Sequence, residues 1–178
     1  MGVTIAVIGA GSSYCPELMQ GFVRRKDVLP IDEIRLMDIV ERRLSPVGGF
    51  CERALKAGGV SAKVVQTLSL ERAVENADFV VTQIRAGRME SRIRDERIPQ
   101  KYGLLGQETT GIGGFVNALR TIGQMEPIAR AMRELAGNAF LVNFANPSGI
   151  VTEYLVNRAG QRAIGLCNLP IGRQELLC

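Results

Sequence analysis

The stretch Val3-Thr4-Ile5-Ala6-Val7-Ile8-Gly9-Ala10-Gly11-Ser12-Ser13 is an apolar, β-branched run that breaks into two spaced glycines. A parallel strand buried on both faces reads as a continuous run of this kind rather than as an alternation, so residues 3–8 are expected to form a central strand. Gly9 permits a tight turn out of it. Gly11 removes the side chain that would hold a pyrophosphate away from backbone N–H groups at the N-terminus of the following helix. In the fingerprint G-x-G-x-x-G the third glycine falls where this chain has Tyr14, so the loop needs support from elsewhere.

That support is an acidic residue at the end of the second strand, where a carboxylate accepts hydrogen bonds from both adenosine-ribose hydroxyls. Ile34-Arg35-Leu36-Met37-Asp38 supplies it. Asp38 lies further along than the usual separation of roughly 20 residues, and residues 26–33, with Pro30, account for the excess as a longer helix-to-strand connection. A carboxylate here repels a 2′-phosphate, which favours NAD over NADP. The plain alternative is that Gly9 and Gly11 make a tight turn and Asp38 caps the next helix.

A chain of 178 residues, 46% hydrophobic and 22% charged, is a globular composition of one domain or one and a fraction. No apolar run approaches the roughly 20 residues of a membrane span, and the N-terminal run lacks a basic leader. A cytoplasmic protein with no membrane partner is expected. Cys15, Cys51, Cys167 and Cys178 show no framework spacing, which suits reduced thiols. The net charge of +4 comes without an aromatic-interleaved basic stripe, which argues against nucleic acid and leaves an anionic small substrate open. There is no histidine, so no Ser-His or Cys-His couple and no histidine general base can form within these residues. Gln174-Glu175-Leu176-Leu177-Cys178 reads as the opening of a helix. The expected division is a nucleotide-binding domain over residues 1–170, with residues 171–178 beginning a second.

Helices are expected over 16–25 and 41–57, strands over 62–65 and 79–82, and a short helix or turn over 68–76. This βαβαβ order with right-handed crossovers makes an α/β fold, a doubly wound parallel sheet of Rossmann type. A helix near 115–135, a strand over 139–144, a helix N-capped by Ser148 and running through Arg158, and a last strand over 163–166 complete the reading. In such sheets ligands bind outside the carboxyl ends of the strands. Four stretches lie there: 83–87, 88–101, 143–148 and 167–170. Arg85, Arg88, Arg92, Arg94, Arg97 and Lys101 face only Glu90, Asp95 and Glu96. Most of these are expected to form a solvated helix face, although arginine is the side chain suited to capturing phosphate. Gly106-Gln107-Glu108-Thr109-Thr110-Gly111-Ile112-Gly113-Gly114 reads either as a loop closing over a ligand or as a hinge. Cys167, beside Asn168 and Pro170 at the end of a strand, is a better metal-ligand or reactive-thiol candidate than Cys15 or Cys51.

Taken in order, Ile8-Gly9-Ala10-Gly11-Ser12-Ser13-Tyr14, Asp95-Glu96-Arg97-Ile98-Pro99 with Lys101-Tyr102-Gly103, Gly106-Gln107-Glu108-Thr109-Thr110-Gly111, Asn143-Phe144-Ala145-Asn146-Pro147 and Cys167-Asn168-Leu169-Pro170 resemble glycoside hydrolase family 4. These are NAD- and metal-dependent glycosidases that include 6-phospho-β-glucosidases. The resemblance implies a redox-assisted elimination in place of the two-carboxylate mechanism. Hydride passes from sugar C3 to NAD⁺, a base takes the C2 proton, the aglycone leaves C1, water adds and the hydride returns. A divalent metal, typically Mn²⁺, polarises the sugar oxygens. Residue by residue, Gly9, Gly11, Ser12 and Asp38 match the dinucleotide site, Arg92 and Asn146 match substrate contacts, and Cys167 matches the metal ligand. Asn168 follows that cysteine as in the β-specific branch. The family's metal-binding histidine and tyrosine base fall beyond these motifs, so none of Tyr14, Tyr102 and Tyr154 takes the role of base. A homo-oligomer acting on a phosphorylated glycoside is implied, with this stretch inactive alone. Two rival readings are a lactate/malate dehydrogenase-like oxidoreductase, since Asn-Pro after a late strand recurs there, and a non-catalytic NAD-binding module.

Overall fold

Strand β1 (Val3–Ile8) lies between β2 (Ile31–Met37) and β4 (Phe79–Thr82) and runs parallel to both. In the computed structural model, which describes residues 2–169, the sheet continues through β3 (Lys63–Thr67) beside β2, and through β5 (Phe140–Asn143) and β6 (Ala163–Gly165) beyond β4. The order β3-β2-β1-β4-β5-β6 is parallel throughout, the doubly wound arrangement the sequence leads one to expect. Residues 171–178, where a second domain was expected to begin, lie outside the described residues, as does Pro170.

Why β1 is apolar at every position follows from its two faces. Ile5 and Val7 point into one buried cluster with Ile34, Leu36, Met19, Leu44 and Leu55. Ala6 and Ile8 point into the other with Val80, Leu141, Met125, Met132 and Leu155. Successive strand side chains face opposite ways, so a strand covered on both sides has no polar phase. Helices α1 (Cys15–Arg24) and α2 (Glu41–Ala57) cover the first face. The second is covered by α3 (Leu70–Val74), α5 (Gly111–Leu135) and α6 (Ser148–Asn157). Helix α4 (Arg88–Gln100) leaves the end of β4 and packs on α5. Among the described residues no helix is long and apolar enough to cross a membrane.

One local expectation is resolved and two change. The short element after β3 is a helix, α3, capped by Ser69, whose hydroxyl accepts from the Arg72 N–H at 3.1 Å. Helix α5 begins at Gly111 rather than near Phe115, taking three glycines of the 106–114 stretch into its first turn. A Cβ on Gly113 would stand 2.4 Å from the Gln107 carbonyl oxygen, and one on Gly114 would stand 2.4 Å from the Thr109 carbonyl carbon. The helix start is pressed against the loop that feeds it, and only glycine fits. Ser148 does not cap α6. Pro147, extended at φ −69° and ψ 115°, occupies the cap, and its carbonyl takes the Val151 N–H at 3.0 Å. Ser148 is the first helical residue.

Leu36 is fully buried on β2, between β1 and β3. Leu36→Ala is expected to lower stability by about 2–5 kcal/mol, read from the midpoint shift in urea. A loss under about 1 kcal/mol would show that this face of the sheet is not the tightly packed core described.

Candidate functional site

The strand order reverses between β1 and β4, and the loops at the carboxyl ends of these strands form the crevice where such sheets bind ligands. Gly9 adopts φ +88°, and a Cβ there would meet the Gln83 carbonyl at 3.0 Å, so the turn out of β1 and the chain leaving β4 approach each other backbone to backbone. The N–H groups of Gly9 and Ala10 both donate to the Met37 carbonyl at 2.9 Å. Gln83 Oε1 is the buried side-chain acceptor without a partner among the described residues.

Asp38 holds this loop. Its Oδ2 accepts from the Gly11 N–H at 2.9 Å and its Oδ1 from the Val40 N–H at 2.9 Å. A Cβ on Gly11 would lie 2.8 Å from Asp38 Oδ2 and 2.9 Å from Arg43 Cβ. The missing side chain thus makes room first for this carboxylate, a reason the fingerprint does not state. Asp38 is half-buried, and a carboxylate has about four lone-pair sites, so acceptor capacity remains after both bonds. Ser12 turns inward, its N–H on the Gly9 carbonyl at 3.1 Å and its hydroxyl accepting from the Tyr14 N–H at 3.2 Å. Tyr14 needs no glycine at the third fingerprint position. Its ring stands edge-on to Phe144, centroids 5.9 Å apart, while Cys15 and Met19 pack α1 into the core beneath the sheet.

Across the crevice, buried Asn143 ends β5 with its amide fully used. Its Oδ1 accepts from Thr82 Oγ1 and the Ala145 N–H, each at 3.0 Å, and its Nδ2 donates to Thr152 Oγ1 at 3.1 Å and the Ala145 carbonyl at 3.2 Å. This fixes the chain that presents half-buried Asn146, which is joined to Pro147 by a cis peptide.

The arginine-rich segment is helix α4, and its residues divide as the sequence reading allows. Arg88 and Arg97 are exposed. Arg92, by contrast, donates through Nε to Glu96 at 2.8 Å and lies 3.2 Å from Glu108 through Nη1, while Arg85 reaches the other Glu108 oxygen at 2.5 Å. The Glu96 hydrogen bond, with the nearby Glu108 charge, holds the Arg92 guanidinium above its ordinary value.

The residues that assemble these segments escaped the sequence reading. Asp95, 4% exposed, receives both terminal nitrogens of Arg120, whose Nε donates to the Ala86 carbonyl at 3.0 Å. Asn117 Nδ2 donates to the Glu108 carbonyl at 3.2 Å and Thr121 Oγ1 to the Asn146 carbonyl at 3.1 Å. Positions 117, 120 and 121 share one face of α5. One turn of this helix therefore ties down the 85–87 segment, α4, the glycine loop at 106–110 and Asn146.

Cys167 and Asn168 follow β6 and are exposed, the Cys167 sulfur accepting from the Leu169 N–H at 3.5 Å. A groove of about 600 Å³ beside them is walled by Ser148, Thr152, Glu153 and Gly165. Three strand spacings of about 4.8 Å separate β6 from β1, roughly 14 Å across the same sheet edge. Among the described residues no group of three or more His, Cys, Asp or Glu side chains is placed to hold a metal ion.

The profile of the Family 4 glycosyl hydrolases matches residues 4–178. The chain belongs to glycosyl hydrolase family 4. It is 48% identical over 174 residues to a probable 6-phospho-beta-glucosidase of Bacillus subtilis (strain 168), covering 96% of this chain and 39% of that protein. It superimposes with a TM-score of 0.91 and 43% identity on a Thermotoga maritima 6-phospho-beta glucosidase solved with manganese, NAD+ and glucose-6-phosphate, covering 98% of this chain and 42% of that one. The family 4 chain therefore spans about two fifths of the length of these relatives. An Eimeria maxima lactate dehydrogenase solved with NADH and oxamate, at 15% identity and TM-score 0.64 over 93% of this chain and 44% of its own, shares the fold alone.

Arg120→Met leaves the buried Asp95 carboxylate unpaired and is expected to cost about 3–5 kcal/mol. Arg120→Met with Asp95→Leu should cost clearly less than Arg120→Met alone in the same denaturation assay. Additive losses would show that the two side chains do not act as a pair.

Proposed function

We propose that this chain is the dinucleotide-binding part, residues 1–170, of a cytoplasmic, homo-oligomeric 6-phospho-β-glucosidase that works by NAD-dependent redox elimination with a divalent metal, Mn²⁺. The observation that carries the reading is the membership of family 4 together with the crevice between β1 and β4. Two features of that crevice fit a dinucleotide: a glycine cradle that a Cβ at Gly9 or Gly11 would fill, and the orphaned acceptor Gln83 Oε1. Gly9, Gly11 and Ser12 shape the loop that takes the pyrophosphate, and Asp38 offers its remaining lone pairs to the adenosine ribose. When bound, NAD supplies a hydride acceptor and donor. The chain's own part would be to hold it at the carboxyl ends of β1 and β4 through Gly9, Gly11, Ser12 and Asp38.

Arg92, Asn146 and Asn168 are assigned to the phosphorylated sugar. Asn146 and Asn168 follow strands at the carboxyl edge, whereas Arg92 lies on helix α4, poised against Glu108, which a phosphate can replace as its partner. Thr121 donates to the Asn146 carbonyl, and Asn143 holds the neighbouring Ala145 backbone. Cys167 is assigned one ligand position on the metal. A single thiolate does not fit Mn²⁺ alone, because that ion favours harder ligands, so the described residues do not complete a metal site and no step is assigned through it. The assignment to a β- rather than an α-glucoside rests on Asn168 and on the 48% identity to the Bacillus subtilis relative.

Isothermal titration of the chain with NAD and NADP is expected to show preference for NAD, and Asp38→Ala should weaken NAD binding roughly tenfold and shrink the preference. Equal affinities for NAD and NADP in the unaltered chain would overturn the assignment.

Cys167→Ser, made in a protein carrying this chain at the full length of its relatives, should abolish turnover of a 6-phospho-β-glucoside and lower Mn²⁺ affinity while NAD affinity is kept. Turnover and metal dependence like those of the unaltered enzyme would reduce Cys167 to a packing residue.

A further inference from the structure

Cys15 is the first residue of α1 and Cys51 lies within α2, and both are 0% exposed. Buried cysteines are ordinarily inert packing groups. Three features set this pair apart. The two sulfurs touch, Sγ to Sγ, at 3.8 Å. A groove of about 340 Å³ runs between the two helices, lined by Pro16, Glu17, Gln20, Val23, Phe50 and Ala54, so that a chain neighbour of each cysteine forms its wall. The Cys15 N–H donates to the Ser12 carbonyl at 3.1 Å, which closes the turn between the glycine loop and α1.

We propose that Cys15 and Cys51 are a redox-modification site, a dithiol that small peroxides oxidise reversibly to a disulfide, and that this oxidation weakens dinucleotide binding at the adjoining loop. The effect on the loop rests on the NAD reading above; the dithiol itself does not. Neither thiol is exposed, so the oxidant reaches them when α1 and α2 part locally beneath the groove. Cys51 is the sulfur that reacts first. Its contact with Cys15 draws its thiol below the ordinary value, whereas the same contact, with burial, pushes Cys15 up.

The Cys51 thiolate attacks one oxygen of hydrogen peroxide and the O–O bond breaks. The departing hydroxide takes up a proton from solvent and leaves as water, and Cys51 becomes a sulfenic acid. The Cys15 sulfur then attacks the Cys51 sulfur, the S–O bond breaks, and hydroxide leaves with the Cys15 thiol proton as a second water. Two thiols lose two electrons and one peroxide becomes two waters. Bond formation brings the sulfurs from 3.8 Å to roughly 2.0 Å. That movement draws the first turn of α1 toward α2, and the Ser12 turn follows through its hydrogen bond to Cys15.

The test treats the reduced 178-residue chain with hydrogen peroxide, maps its peptides without reduction by mass spectrometry, and titrates NAD before oxidation, after it, and after dithiothreitol. A cross-linked peptide pair carrying Cys15 and Cys51 is expected, with NAD affinity falling roughly tenfold and returning on reduction. Cys51→Ala should bind NAD as the reduced chain does and ignore peroxide; Cys51→Val, closer in volume, serves if the alanine variant does not fold. Absence of the cross-link in a sample whose Cys167 has been oxidised overturns the site, and a cross-link that leaves NAD affinity unchanged overturns its effect on the loop. If the reduced chain binds no NAD, the NAD reading falls, and the peptide map alone upholds or overturns the dithiol.

Discussion

Burial of β1 on both faces is the constraint from which the rest of the molecule follows. A strand with Ile5 and Val7 in one core and Ala6 and Ile8 in the other can be satisfied only if helices cover both sides of the sheet. Right-handed crossovers then carry the chain outward to β2 and β3 on one side, and through β4 to β5 and β6 on the other. The two directions part at β1, so the loops after β1 and β4 diverge over an open crevice. The glycines stand at that point because two backbones meet there, Gly9 against Gln83.

Around the crevice, polar groups rather than apolar ones set the geometry. Asp38 spans the end of β2 and the glycine loop with two hydrogen bonds. Asn143 satisfies every donor and acceptor of its amide against Thr82 of β4, Thr152 of α6 and the Ala145 backbone. The face of α5 bearing Asn117, Arg120 and Thr121 gathers the remaining segments. Buried polar groups are costly when unpaired, so each arrangement holds its loop to a narrow range of positions. Gln83 Oε1 departs from this economy, and it does so beside the crevice.

Where the sequence reading missed, it did so for identifiable reasons. Helix α4 is charged nearly all round, so nothing in its pattern marks Asp95 as the buried position; the mark is Arg120, twenty-five residues away on another helix. The 106–114 stretch reads as loop by composition because glycine disfavours helices, yet Gly113 and Gly114 lie in α5, glycine there because neighbouring carbonyls leave no space for a Cβ. Ser148 has the chemistry of a cap, but the extended Pro147 before it already holds that place. Cys15 and Cys51 carry no spacing signal, since α1 and α2 bring them together only by packing.

By itself the sequence determined the class of fold and the position of the first turn, because each is written in a short contiguous run: a two-faced apolar strand and two glycines. It also determined the family, through an ordered series of short motifs. Tertiary structure alone decided what those motifs touch. Gly11 makes room for Asp38, Arg92 leans on Glu108, Asp95 pairs with Arg120, and Cys15 meets Cys51. All four join residues on different elements, and their distances are set by how helices cover a twisted sheet, which no local pattern encodes.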